Sequence, residues 1–181
     1  LSGTYNYTWN PGPIISTTPV VVSPASTMIY TVSAKNGICY TAHTVEVNVN
    51  PLPTLSVSAS PTLICSGSSA TLTASGATSY TWNPGIIITA SVAVNPTTTT
   101  VYTVTGNTSG CTDTKTVSTT VNPAPMLTVN SATICDGSTA TLTANGAVSY
   151  SWSTGANTQS ITVTPTVTTD YTVTGTGSNG C

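Results

Sequence analysis

The sequence predicts an all-β protein built from tandem sandwich repeats of about 70 residues, and three observations support this. Val, Ile and Thr are abundant, and such β-branched side chains fit the pleated surface of a sheet. Short alternating runs end in Gly, Asn or Pro every eight to twelve residues or so, the pattern of a β-sandwich. Tryptophan, tyrosine and cysteine also recur at a nearly constant interval. We therefore expect strands throughout and no helix.

The repeat is marked by aromatic residues and cysteines at equivalent positions, which lie 69–73 residues apart. These positions are Trp9, Trp82 and Trp152; Tyr30, Tyr102 and Tyr171; Cys39, Cys111 and Cys181; and Cys65 and Cys135. The tryptophans and tyrosines stand in predicted strands, so all six are expected in the cores of the sandwiches. In Tyr102-Thr103-Val104, the period of two points Tyr102 and Val104 inward and the threonine outward.

Two proline-rich words divide the chain into units. Residues 49–53 are Val-Asn-Pro-Leu-Pro and residues 121–125 are Val-Asn-Pro-Ala-Pro, and such prolines favour an extended, semi-rigid spacer. The expected units are a partial repeat over 1–50, a linker over 51–53, a complete repeat over 54–122, a second linker over 123–125, and a repeat over 126–181 that lacks its last strand. Leu1 falls inside a repeat, so the chain is expected to be a fragment.

Strands are expected at the alternating runs of each unit. In the third unit these are 127–129, 140–144, 150–152, 160–163 and 171–174, and in the second unit a closing strand at 116–121 follows the cysteine. The cysteine itself is expected in the loop between the tyrosine strand and this closing strand. The exposed faces of the strands are predicted to be rich in threonine.

Composition excludes several classes of function. Charged residues make up 3% of the chain, against roughly 25% in ordinary soluble domains, and the net charge is −2. Basic patches that would bind nucleic acid are absent, and no apolar run approaches the roughly 18 residues of a membrane span. Low charge promotes association, so we expect self-association into a filament or sheet.

Neither an enzyme nor a bound cofactor is expected. His43 is the only histidine, whereas a catalytic triad or a zinc site needs further partners at hand. Asp113, Asp136 and Asp170 stand apart in the sequence, and calcium needs roughly six to eight oxygen ligands. No metal site is therefore predicted.

Five cysteines without nearby histidines or acidic clusters indicate disulfides formed in an oxidising compartment. Two pairings compete. Cys65 with Cys111 and Cys135 with Cys181 would stay within repeats, leaving Cys39 to a residue outside the fragment. Cys39 with Cys65 and Cys111 with Cys135 would cross the linkers. Crossing requires Cα atoms within about 7 Å, which an extended spacer opposes, so the pairing within repeats is predicted.

The repeated words resemble a known group of proteins. Residues 64–82 and 134–152 share Ile-Cys-x-Gly-Ser-x-Ala-Thr-Leu-Thr-Ala-x-Gly-Ala-x-Ser-Tyr-x-Trp, and Tyr-Thr-Val-Thr-Gly follows at 102–106 and 171–175. The Cys–Trp–Cys layout resembles immunoglobulin domains. The words resemble the tandem immunoglobulin-like or PKD-like repeats of large secreted surface proteins of Bacteroidetes-type bacteria, including gliding-motility adhesins. This resemblance implies immunoglobulin-like sandwiches at the cell surface and a stalk or adhesin role.

The leading functional expectation is an extracellular structural repeat protein, without catalytic activity, that forms a surface stalk or filament. One alternative is a module that binds glycans or surfaces through Tyr5, Tyr7 and Trp9, or through the turn at 83–88. Another alternative is a spacer beside a catalytic domain that lies outside the fragment.

Overall fold

A computed structural model describes residues 6–12, 14–15 and 19–181, and all regular elements in these residues are β-strands. The prediction of an all-β, immunoglobulin-like sandwich fold is confirmed. Tyr5 lies outside the described residues. Along the chain the strands fall into three groups, and the two proline linkers at 51–53 and 123–125 separate these groups.

The first group forms one antiparallel sheet in the order β2-β1-β3-β4. Its strands are β1 (Asn6–Asn10), β2 (Ile14–Ile15), β3 (Met28–Asn36) and β4 (Cys39–Val47). β4 exposes every side chain except that of Val47, which is half-buried. Tyr30 is buried in this sheet, whereas Trp9 is only half-buried.

The second group forms a sandwich of two sheets, in the orders β6-β11-β10-β8 and β5-β7-β9. Its strands are β5 (Ser56–Ser60), β6 (Leu63–Cys65), β7 (Ala70–Ser75), β8 (Ser79–Asn83), β9 (Ser91–Val94), β10 (Thr100–Thr108) and β11 (Cys111–Asn122). The core between the sheets consists of Leu72, Ala74, Trp82, Tyr102 and Val104. These side chains alternate with exposed ones along their strands, as period two requires.

The hairpin of β10 and β11 gives the second repeat its length. Ser109 and Gly110 form its turn with φ of +52° and +84°, the left-handed backbone of the tight turns that suit twisted strands. β11 therefore begins at Cys111, not at 116 as the sequence pattern predicted. It runs antiparallel to β10 and ends with a parallel pairing to β6 on its other edge.

The third group repeats this architecture up to its last strand, β16, except that the segment equivalent to β6, residues 133–135, forms no strand. Its strands are β12 (Thr128–Val129), β13 (Ala140–Asn145), β14 (Ser149–Trp152), β15 (Ser160–Val163) and β16 (Val173–Thr176). Its core consists of Ala144, Trp152 and Ile161, with Tyr171 half-buried against it. The strand predicted at 171–174 begins only at Val173, because residues 169–172 have no neighbouring strand like the one that pairs with β10 in the second repeat.

The buried tryptophans are held in the same way in both sandwiches. Trp82 is 1% exposed and its Nε1 donates to the Thr89 carbonyl at 2.9 Å, while Trp152 is 3% exposed and donates to the Thr158 carbonyl at 2.8 Å. A buried indole N–H needs such an acceptor, so the loop after each tryptophan strand is fixed to the core.

Thr119 on β11 is fully buried, and within the described chain its Oγ1 has no hydrogen-bond partner. A buried hydroxyl without a partner costs roughly 1–3 kcal/mol of desolvation. Thr119→Val keeps the shape of the side chain, and the first repeat already has Val47 at the equivalent position. We expect this substitution to raise the free energy of unfolding by about 1 kcal/mol in urea titrations. The exposed Thr116→Val is the matched control and should change it by less than about 0.5 kcal/mol; equal effects would contradict the prediction.

Candidate functional site at the joint between repeats

A disulfide joins the second and third repeats across the linker. Cys65 ends β6, and the parallel pairing of β6 with β11 places it beside Asn122, the last residue before the linker prolines. Its Sγ is bonded to that of Cys181, with Cα atoms 5.5 Å apart and a separation of 116 residues in sequence. The early cysteine of one sandwich is thus bonded to the late cysteine of the next.

The predicted pairings of Cys65 with Cys111 and of Cys135 with Cys181 are therefore wrong. β11 spans 12 residues from Cys111 to Asn122, and Asn122 lies beside Cys65. At about 3.3 Å per residue, Cys111 lies roughly 35 Å from Cys65, at the opposite end of the sandwich. A disulfide requires Cα atoms within about 7 Å, so the two cysteines of one repeat cannot meet.

The rival set of linker-crossing bonds, Cys39 with Cys65 and Cys111 with Cys135, is not formed either. In the described chain Cys39 and Cys135 are exposed free thiols, and Cys111 is a half-buried one. The spacer does not keep neighbouring sandwiches apart, contrary to the argument from its prolines. It is so short that the β6 end of one sandwich meets the cysteine turn of the next.

Asparagine side chains fix this joint on both sides of the linker. Asn179 Nδ2 donates to the Pro123 carbonyl at 2.9 Å, and Asn179 Oδ1 accepts from the backbone N–H of Cys181 at 3.1 Å. Asn122 Nδ2 donates to the Asn179 carbonyl at 3.4 Å. The turn that carries Cys181 is thereby held against the linker, where its sulfur reaches Cys65.

The joint between the first and second repeats shows the same contact. Asn50 Nδ2 donates to the Ser109 carbonyl at 3.2 Å, and these residues are equivalent to Asn122 and Asn179. The Cys111 thiol donates to the Asn50 carbonyl at 3.5 Å, so Cys111 lies at this joint as Cys181 lies at the next. The asparagine contact between the end of one repeat and the cysteine turn of the next therefore occurs at both joints.

Each linker leads into a segment that is packed tightly on the sandwich it enters. A Cβ on Gly106 would overlap the side chain of Leu55, and a Cβ on Gly175 would overlap that of Leu127. Gly146 has φ of +99°, and a Cβ there would collide with the Met126 carbonyl. These glycines let the chain leaving the linker lie directly on the next sheet, so little free chain remains at the joint.

The metal-site and glycan-site alternatives can be compared with the described residues. Within residues 6–12, 14–15 and 19–181, no group of three His, Cys, Asp or Glu side chains could hold a metal ion. The described part of the chain also contains no helix long and apolar enough to span a membrane. Trp82 and Trp152 are buried and cannot present their rings to a glycan, whereas Ile86 and Ile88 of the 83–88 turn are exposed.

The joint asparagines were missed by the sequence analysis, although a signal was present. Asn50 and Asn122 stand at the same position of the two Val-Asn-Pro-x-Pro words, which were interpreted only through their prolines. Tyr80 was also missed: its hydroxyl donates to the Ala77 carbonyl at 2.8 Å and closes the turn before its strand. Tyr150 makes the equivalent bond to Ala147, at 2.9 Å.

Comparisons with known proteins give only distant structural similarity. No protein-family description matches the chain, and no curated protein sequence matches it. The amphioxus IgVJ-C2 molecule aligns at 16% identity and a TM-score of 0.34, over 66% of this chain and 91% of that one. Immunoglobulin domains 1–5 of Sidekick-1 align at 11% identity and a TM-score of 0.35, over 97% of this chain and 50% of that one. The eight N-terminal immunoglobulin domains of Down syndrome cell adhesion molecule align at 12% identity and a TM-score of 0.38, over 97% of this chain and 31% of that one. These values are too low to transfer a function. The disulfide itself fits an extracellular location, where such bonds persist.

Proposed function

We propose that this protein is an extracellular structural array: immunoglobulin-like units over 1–50, 54–122 and 126–181, joined end to end as a cell-surface stalk or filament without catalytic activity. The observation that carries the proposal is the bonded joint, in which Cys65–Cys181 and the contacts of Asn122 and Asn179 connect successive sandwiches. An array of this kind gains length by adding units, with no new chemistry.

The two joints of the second repeat lie at opposite ends of its sandwich. Asn50 contacts Ser109 at the β10–β11 turn, whereas Asn122 lies at the far end of β11. Entry and exit are therefore separated by most of the strand length, roughly 35 Å. Units connected in this way extend the chain instead of folding it back.

Surface chemistry supports an adhesive or self-associating exterior. With 3% charged residues, neighbouring molecules repel one another weakly. Large apolar side chains are exposed on the second repeat, among them Ile86 and Ile88. The resemblance of the repeated words to secreted surface proteins points to the same role at the cell surface.

Small-angle X-ray scattering of the dilute chain tests the proposal. A compact globule of 181 residues has a radius of gyration of roughly 16 Å. We expect a value at least about half as large again, because the sandwiches lie end to end. A value close to that of the globule, at concentrations where the chain is monomeric, would rule out the extended array.

A further inference from the structure

The third repeat contains an open cleft where the second repeat is closed. The cleft has a volume of about 680 Å³, and its apolar lining includes Val129, Leu142, Val163 and Tyr171. Leu142 is half-buried, whereas its counterpart Leu72 is 0% exposed. The cleft thus exposes side chains that the second repeat keeps in its core.

In the second repeat the same position is filled by the second half of β11. There Val117 packs against the core cluster and Thr119 is fully buried. Thr100–Thr103 pair with residues 116–119 on one edge, and Leu63–Cys65 pair with 120–122 on the other. The equivalent segments of the third repeat, 169–172 and 133–135, belong to no strand. The occupant that fits is a strand with the Val-x-Thr-x-Val alternation of residues 117–121.

Cys135 lies at the end of this cleft in the same local geometry as Cys65. Ser138 N donates to the Cys135 carbonyl at 3.0 Å, as Ser68 N donates to the Cys65 carbonyl at 2.9 Å. Cys65 is bonded to the late cysteine of the next sandwich, whereas Cys135 is an exposed thiol. The bonded joint therefore shows what partner the Cys135 position takes.

We propose that the cleft and Cys135 together form a receiving site for a further repeat of this kind. A strand equivalent to residues 117–121 enters the cleft and completes the third sandwich. A linker equivalent to 123–125 follows this strand, and the late cysteine of the next sandwich bonds to Cys135. This inference rests on the proposed array and adds the rule by which it is crosslinked: each early cysteine bonds to the late cysteine of the following repeat. By the same rule, Cys111 takes an early cysteine from the repeat before it, since it lies at the first joint.

The bond forms from two thiols, which lose two protons and two electrons. The oxidant is a low-molecular-weight disulfide, which takes up the electrons and is released as two thiols by exchange through a mixed disulfide. Successive bridges then overlap, because the bridge from Cys65 closes at Cys181 after the bridge from Cys135 has begun. Every linker is bypassed by a covalent bond.

The periodicity of the chain itself provides the test. Cys181 and Cys111 are equivalent, so a second copy of residues 112–181 can be joined directly after Cys181 of the full chain. This supplies a closing strand, a linker and a late cysteine in the natural order. After refolding with glutathione disulfide, we expect peptide mass mapping to show Cys135 bonded to the terminal cysteine of the added segment, with Cys65–Cys181 retained.

A matched variant shows whether the Cys135 bond depends on entry of the strand into the cleft or forms by random oxidation of thiols. In the added segment, the counterparts of Val117 and Val121 are changed to Asp, which cannot be buried in the cleft without a large cost. We expect Cys135 then to remain alkylatable, while Cys65–Cys181 stays intact and reports that the original repeats are folded. Hydrogen exchange at 169–172, the counterpart of the segment that pairs with 116–119 in the second repeat, should slow by at least tenfold in a Cys135→Ser version when the strand enters.

Two outcomes would overturn the proposal: Cys135 bonded to Cys39 or Cys111, or Cys135 free in the unmodified extension while exchange shows the cleft filled. The scattering measurement on the 181-residue chain is independent of these thiols. If the 181-residue chain is extended but Cys135 stays free in the lengthened chain, the crosslinking rule is rejected and the array stands, whereas a compact 181-residue particle would reject the array itself.

Discussion

Stretching the oxidised chain between its two ends should yield roughly 400 Å less extension than stretching the reduced chain. The Cys65–Cys181 bond carries the load directly from one residue to the other and bypasses the 116 peptide units that connect them along the chain. At about 3.4 Å per residue, this segment would add roughly 400 Å to the contour length if it could be stretched. Single-molecule force spectroscopy with handles at both termini measures the difference as total contour length.

Cys65→Ser should recover the full length without reductant, and Cys135→Ser serves as the control because Cys135 is an unbonded, exposed thiol. Equal contour lengths for the oxidised and reduced chains would show that the bond is absent in solution. The result matters for the proposed stalk, since a chain whose sandwiches are bypassed by covalent bonds resists extension even after its cores have unfolded.

Trp82→Ala should destabilise the second repeat by about 3–5 kcal/mol, the usual cost of removing a large buried aromatic side chain. Trp82 is 1% exposed and belongs to the core cluster between the two sheets, and its loss also leaves the Thr89 carbonyl without its donor. Because small domains are stable by only about 5–15 kcal/mol, much of the stability of this repeat should disappear. Native-state hydrogen exchange of β7 and β10 measures the loss locally.

Trp9→Ala is the matched control for this substitution. Trp9 occupies the equivalent position but is only half-buried, in a group of strands that forms a single sheet. We expect less than half of the Trp82 effect on the first sheet and no change in β7 or β10. An equal loss of protection from both substitutions would mean that burial does not set the contribution of these tryptophans.

The local structure was largely predictable from the sequence. The strands at 140–144, 150–152 and 160–163 follow from alternation, and Tyr102 and Val104 point inward as period two requires. Strand positions and side-chain directions depend on residues a few places away in the chain, so they can be predicted from the sequence alone. The predicted start of the closing strand at 116 failed because the tight turn at Ser109-Gly110 lets β11 begin at Cys111.

The late start predicted for the closing strand is one of two reasons for the wrong disulfides. The sequence pattern placed Cys111 in a loop, so it did not indicate that a full strand length separates Cys111 from Cys65. Once β11 extends from Cys111 to Asn122, the two cysteines of one repeat lie at opposite ends of the sandwich. The prolines were also given too much weight, because a stiff spacer can hold two ends close if it is short.

By itself, the amino-acid sequence determined the period, the all-β class and the burial of Trp82 and Trp152, although it also predicted a buried Trp9, which is half-buried. Only the tertiary structure decided which cysteine meets which, because that depends on the direction and length of β11 and on the asparagines that hold the Cys181 turn against the linker. Alternating strands and turns can be predicted from a few neighbouring residues. A disulfide between residues 116 apart in sequence depends instead on how two whole sandwiches are placed relative to each other.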